Sequence, residues 1–294
     1  MRGNLVLTGW LVVLSAPAAP AADVAFPDKG LEAAIRRLVY GKGESDKPLT
    51  TEELANLSTV HAAGKGIRDL RGLEHCTNLA ELDLARNEVG DLAPLEELKK
   101  LQLLDLSQNK VSDLQPLAGL KALQYLDLSE NQVKDLRPLA ALSALRSLYV
   151  TGNKVSDLGP LKDLKALWTL YLGENEVADL GPVGELRGLT HLELRDNRIA
   201  DLKSLAKLRE LRMLLLENNK IEDASPLLEA LRADAKGEKR MAPFLELYVA
   251  GNPLSDESRK GLEEVKGLGV RLKEAVRKPR KPEQVRLEKK ERKL

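Results

Sequence analysis

The stretch LDLARNEVGDLAPL, residues 82–95, decides how the rest of the chain is read. The same wording returns as LDLSQNKVSDLQPL at residues 104–117. Its asparagine recurs every 22 residues, at Asn87, Asn109, Asn131, Asn153, Asn175, Asn197 and Asn219. A fixed short period marks a chain that stacks identical units, each covering the apolar face of the one before. The Leu-x-Leu pair alternates at period two and predicts a short strand with one face buried. Equivalent strands then pair in parallel, about 4.8 Å apart. The Asn amide, with donors and an acceptor, suits the turn that follows, and stacked coil on coil it forms a ladder. Proline in Asp-Leu-x-Pro-Leu pre-sets a turn or short 3-10 segment on the opposite, convex side. A 22-residue coil leaves too few residues for a long convex helix.

Outward from that stretch, the partial coil AAGKGIRDLRGLE at 62–74 precedes the full ones, with Lys65 in place of the ladder asparagine. Upstream, Asp28 is placed to cap a helix carrying Leu31, Ile35, Leu38 and Val39 on one face, ended by Gly41. Thr50 and Glu53 form a capping box for a second, short helix. Downstream, the step from Asn219 to Asn252 is 33 residues, half a coil too long. The extra residues fall near 233–243, after a helix starting at Ser225-Pro226, and Phe244 takes the core place that Leu211 holds one coil earlier. The pattern then gives way to a helix opened by Ser255 and an edge strand with Val270 and Leu272.

The expected organisation is a signal peptide at 1–22, a helical N-terminal cap and linker at 23–57, and about nine coils at 58–254. A C-terminal cap follows at 255–276, then a basic tail at 277–294. Arg2, the apolar run Leu5 to Leu14 and Ala19-Pro20-Ala21 carry the export signal, with cleavage expected near Ala21 or Ala22. The apolar run is half of the roughly 20 residues a spanning helix needs. The tail holds nine Lys or Arg, three Glu and two Pro, a composition that predicts disorder.

The Phe26-Pro27-Asp28 helix, the partial coil, the repeated NxVxDLxPL wording and GNPLSDES at 251–258 resemble the bacterial internalin-like leucine-rich repeat proteins. The resemblance covers roughly Phe26 to Leu272. It implies an α/β fold: a right-handed leucine-rich repeat solenoid with a parallel β-sheet on the concave face, short 3-10 turns on the convex face and a helical N-terminal cap. It also implies a partner bound on the concave sheet. No cell-wall sorting motif or following immunoglobulin-like domain is seen, so host-cell adhesion is not carried over.

Composition narrows the function classes. Lys plus Arg (46) and Asp plus Glu (45) nearly balance, so no specific nucleic-acid recognition is expected. Cys76 is the sole cysteine and lies where Leu98 lies one coil later, a buried place rather than a reactive one. His61, His75 and His191 are scattered over distant coils, and no zinc spacing, Gly-x-Ser-x-Gly or phosphate loop occurs. Neither an enzyme nor a cofactor is expected.

The exposed strand positions vary along the repeat, from Asp83, Asp105 and Asp127 to aromatic residues beyond Tyr125. Four of the five tyrosines and Trp168 fall there, although aromatics are only 3% of the chain. Large side chains of few rotamers make good binding anchors, while aromatics also suit exposed strands for structural reasons alone. The candidate partner-binding residues are Tyr125, Tyr149, Trp168, Tyr171, His191, Met213 and Tyr248. The partner expected is a protein, with a glycan as the alternative. The aspartate column reads as solvated carboxylates, and no metal is assigned to it. The basic tail offers a contact to an anionic polymer or membrane surface. The competing reading of the whole is an intracellular regulatory scaffold of the phosphatase-regulator leucine-rich repeat type.

Overall fold

The computed structural model describes residues 22–43 and 45–273. The signal peptide expected over 1–22, all but its last residue, and the tail expected over 277–294 lie outside them.

Two short strands, β1 (Asp23–Val24) and β2 (Leu49–Thr50), pair antiparallel at the start. Ten strands then form one parallel sheet: β3 (Thr59–His61), β4 (Glu81–Asp83), β5 (Leu103–Asp105), β6 (Tyr125–Asp127) and β7 (Ser147–Tyr149). It continues through β8 (Thr169–Tyr171), β9 (His191–Glu193), β10 (Met213–Leu215), β11 (Glu246–Tyr248) and β12 (Arg271–Lys273). Neighbours in sequence are neighbours in the sheet, and Leu82, Leu104, Leu126 and Leu148 stand in line. The middle residue of each strand from β3 to β11 points into the core.

The convex side is a row of 3-10 turns, among them Ala93–Leu95, Gln115–Leu117, Arg137–Leu139 and Gly159–Leu161, each with its proline at the second place. The repeated aspartate braces the entry to these turns. Asp91 Oδ1 accepts from the Ala93 N–H at 2.9 Å, and Asp113, Asp135 and Asp157 do the same for the residue two places on. Between sheet and turns lies one aliphatic core, and Cys76 is part of it. Burial pushes the Cys76 thiol up to about 12.

The asparagine ladder satisfies the backbone where each coil turns. Asn131 Oδ1 accepts from Val111 N–H at 2.9 Å, while its Nδ2 donates to the carbonyls of Leu106 (2.8 Å) and Leu128 (3.0 Å). Asn87 accepts from both Lys65 and Ile67, so the first coil uses its neighbour's rung and needs none of its own. The residue before each rung is left-handed: Arg86, Gln108, Glu130, Glu174, Asp196 and Asn218 have φ of 54–59°. Gly64, Gly152 and Gly251 fill the same step elsewhere, with φ of 66–75°.

Helix α1 (Lys29–Arg36) buries Leu31 and Ile35 against the first coil. Asp28 caps it through Leu31 N–H (3.0 Å) and reaches Arg68 N–H (2.8 Å) in that coil. Its end differs from expectation. The helix stops at Arg36 rather than near Gly41, and Leu38 is 45% exposed while Val39 is buried. Arg36 donates to the carbonyls of Ser45 and Lys47, turning the following loop and taking Leu38 off the buried face. Helix α2 (Thr51–Ala55) has its capping box, with Thr50 and Glu53 bonded reciprocally.

The long coil holds helix α3 (Ser225–Lys236). Asp234, in its last turn, accepts from the N–H groups of Arg240 (3.0 Å), Met241 (3.0 Å) and Ala242 (2.8 Å) and so clips the inserted loop closed. Phe244 does not take the core place expected of it. Met241, Ala242 and Leu245 point inward instead, and Phe244 is 51% exposed beneath the Arg212 guanidinium, 5.0 Å from the ring centre. The 3-10 turn Ala242–Phe244 reaches the core with its first residue, which leaves the third outside. Helix α4 (Asp256–Lys266) is capped by Ser255 and buries Leu262 and Val265 beside α3.

Candidate functional site

The concave face is built from the residues flanking the buried leucine of each strand, because alternate side chains of a strand emerge on opposite faces. Register then fixes who stands beside whom. Tyr149 is level with Tyr171 on the next strand, and Asp127 with Tyr149 on the previous one. Tyr125 is level with Ser147, so its ring reaches Tyr149 on the diagonal. The ring centres of Tyr125 and Tyr149 are 5.3 Å apart, and those of Tyr149 and Tyr171 are 5.0 Å apart at 65°. These are the separations at which aromatic edges and faces attract. Three of the seven candidate residues thus form one continuous patch.

Trp168 stands beside this patch, one position before β8, and is 48% exposed. Its Nε1 donates to Ser147 Oγ at 3.1 Å, and the Arg146 guanidinium lies 5.8 Å from its ring centre. The indole is therefore held at both ends while offering half its surface to solvent. Burial first, and then the carboxylates of Asp127 and Asp105, push the Tyr125 phenol upward. That phenol donates to Asp127 Oδ2 at 3.3 Å.

The other three candidates sit further along the sheet. His191 Nδ1 lies 2.9 Å from Thr190 Oγ1. That hydroxyl donates to the Trp168 carbonyl, which leaves His191 Nδ1 as the donor between them. Met213 is level with His191 on β10. Tyr248 lies three strands beyond Tyr171, or about 14 Å by strand spacing, with Glu193 and Leu215 between them in the same column. The seven residues share a face, but they are not one cluster.

The aspartate column departs from the solvated reading. Asp83, Asp105 and Asp127 each accept from the N–H two residues on, at 3.0–3.1 Å, so their carboxylates shape the end of the strand. Asp127 is buried between two tyrosines rather than solvated. Among the described residues no group of three or more His, Cys, Asp or Glu is arranged to hold a metal ion.

One feature of this face escaped the sequence reading. Glu193 is 2% exposed and its Oε1 meets Arg195 Nε at 2.7 Å. Its Oε2 accepts from Thr151 Oγ1 (3.0 Å) and from Gly173 N–H (3.2 Å). Burial is the largest influence on Glu193, and its pKa stays above the usual carboxylate value although Arg195, Thr151 and Gly173 all pull it down. The only sequence signal was Gly173, standing where other coils have Ser107, Ser129 and Thr151.

Among the described residues no helix is long and apolar enough to cross a membrane. Family models for leucine-rich repeats match residues 75–92, 99–141 and 187–229. No curated protein matches the chain. Among solved structures, internalin C2 of Listeria monocytogenes is 37% identical over 69% of this chain and 89% of its own, with a TM-score of 0.66. An internalin of the same organism, InlF, is 24% identical over 84% of this chain and 88% of its own, with a TM-score of 0.57. A leucine-rich repeat protein of Leptospira interrogans is 22% identical over 75% of this chain and 50% of its own, at a TM-score of 0.55. The last two share the fold. With its 22-residue coils, its helix-capped first coil and a relative this similar over most of that relative's length, the chain belongs to the internalin-like leucine-rich repeat proteins.

Proposed function

We propose that the chain is an exported, non-enzymatic binding module that holds a protein partner on its concave sheet. The observation that carries this is the continuous Tyr125–Tyr149–Tyr171 patch with Trp168 beside it. Rigid aromatic side chains give large contact area for little lost rotamer freedom, so a scarce residue type gathered on one face marks an anchor. His191, Met213 and Tyr248 extend the contact along the sheet. Internalin C2 shares this repeat architecture, which is consistent with a protein-binding module.

The test is capture of the partner from the native host by purified protein. The variant Tyr149→Ala, Trp168→Ala, Tyr171→Ala keeps its folded far-UV spectrum and loses capture; undiminished capture by the folded variant overturns the proposal. Export is read separately. Asp23 opens β1, which pairs with Thr50, so removal of the preceding residues leaves the fold its first strand. The mass of the mature chain from its host should place the N-terminus near Ala22 or Asp23, whereas an intact Met1 favours the intracellular scaffold.

A further inference from the structure

The concave face carries charge as well as aromatic rings. Glu81, Asp83, Asp105 and Glu246 lie half-buried at strand positions on it, Asp127 is buried at the end of β6, and Glu217 is buried two residues beyond β10. Glu193 adds a seventh carboxylate there; Arg195 lies 2.7 Å from it, as Arg271 lies 3.6 Å from Glu246. Carboxylates in register on parallel strands stand about 4.8 Å apart and raise one another's energy, most of all along Asp83, Asp105 and Asp127.

The sequence holds a counterpart to this face. Residues 277–294 contain nine Lys or Arg and three Glu, a net charge of +6. Taking these from the 46 basic and 45 acidic residues of the whole leaves 37 against 42, a net charge of −5 for residues 1–276. The near-neutral total conceals two parts of opposite sign.

Geometry permits them to meet. The described chain ends on β12, an edge of the sheet, with Lys273 level with Tyr248. The 21 residues that follow span up to about 70 Å when extended. Nine spacings between ten strands amount to about 43 Å. The segment is therefore long enough to cross the whole face. Tethering supplies it at an effective concentration of the order of millimolar, so weak contacts suffice.

We propose that the basic segment 277–294 docks across the acidic concave sheet of its own molecule, Lys and Arg against the carboxylate columns. It then occupies the face assigned above to the partner and must be displaced for binding. The regulatory consequence rests on that assignment; the docking itself does not.

Zero-length carbodiimide cross-linking of the full chain tests it, because this reagent joins only a lysine and a carboxylate already in contact. At about 0.01 M salt, where charges act over about 30 Å, Lys278, Lys281, Lys289, Lys290 and Lys293 should join concave carboxylates within monomers. At about 1 M salt, with screening over about 3 Å, those products should fall roughly tenfold. Cross-links to the convex aspartates Asp91, Asp113 and Asp135, cross-links confined to covalent dimers, or none at low salt would each overturn the proposal. None of these outcomes bears on partner capture, which the triple aromatic variant reads on its own.

Discussion

Gly173 and Glu193 compete for one volume on adjacent coils. A Cβ built on residue 173 would lie 2.1 Å from Glu193 Oε1, far inside contact distance. The glycine is there because a buried carboxylate fills the space that Ser107, Ser129 and Thr151 occupy in other coils. Gly173→Ala is expected to destabilise the protein by about 1–3 kcal/mol, the usual cost of overpacking. Urea unfolding measures it. Glu193→Ala in the same background should recover part of the loss, and a purely additive double variant would refute the steric account.

The ladder asparagines make a second prediction. Asn131 is 8% exposed and serves four backbone groups on two coils. Asn131→Ala leaves them without partners and should cost about 1–3 kcal/mol in urea unfolding. Asn131→Asp should cost more, since a carboxylate facing the Leu106 and Leu128 carbonyls has no proton to donate.

Backbone strain gives a prediction of opposite sign. Arg86 holds φ at 59° at the step where Gly64, Gly152 and Gly251 stand in other coils. A side chain there costs about 1–2 kcal/mol, partly offset by the greater freedom of glycine in the unfolded chain. Arg86→Gly should therefore raise stability by about 0.5–1 kcal/mol, seen as a higher urea midpoint at unchanged slope.

Asp234 links the insertion to pH. Burial raises its pKa, but the backbone N–H groups of Ala242, Met241 and Arg240 outweigh that and hold it below the ordinary aspartate value. A depressed carboxylate adds stability that is whole above its unfolded value and disappears as pH falls through the folded one. Asp234→Asn should thus unfold at lower urea than wild type near neutrality, by about 1–3 kcal/mol, and the difference should shrink below about pH 4.

Much of this fold was legible because its rules are local and translational. Period-two alternation placed Leu82 and Leu84 inside and Asp83 outside, and the 22-residue step copied that placement from coil to coil. The concave column of aromatics followed from the same counting. What failed did so where translation breaks. Counting 33 on from Leu211 puts Phe244 inside, yet the inserted loop enters the core through Met241 and Ala242 and turns the ring out to Arg212. Helical periodicity puts Leu38 on the buried face, but α1 ends at Arg36.

By itself, then, the sequence determined the parallel sheet, the ladder, the aliphatic core and the face on which the variable residues stand. Each follows from a repeat that carries its own register. The tertiary structure decided which of those residues touch: that Tyr125, Tyr149 and Tyr171 form one patch while Tyr248 stands apart, and that Glu193 is buried beneath Gly173. Such contacts depend on side-chain direction and free volume between neighbouring coils, quantities that spacing along one chain does not contain.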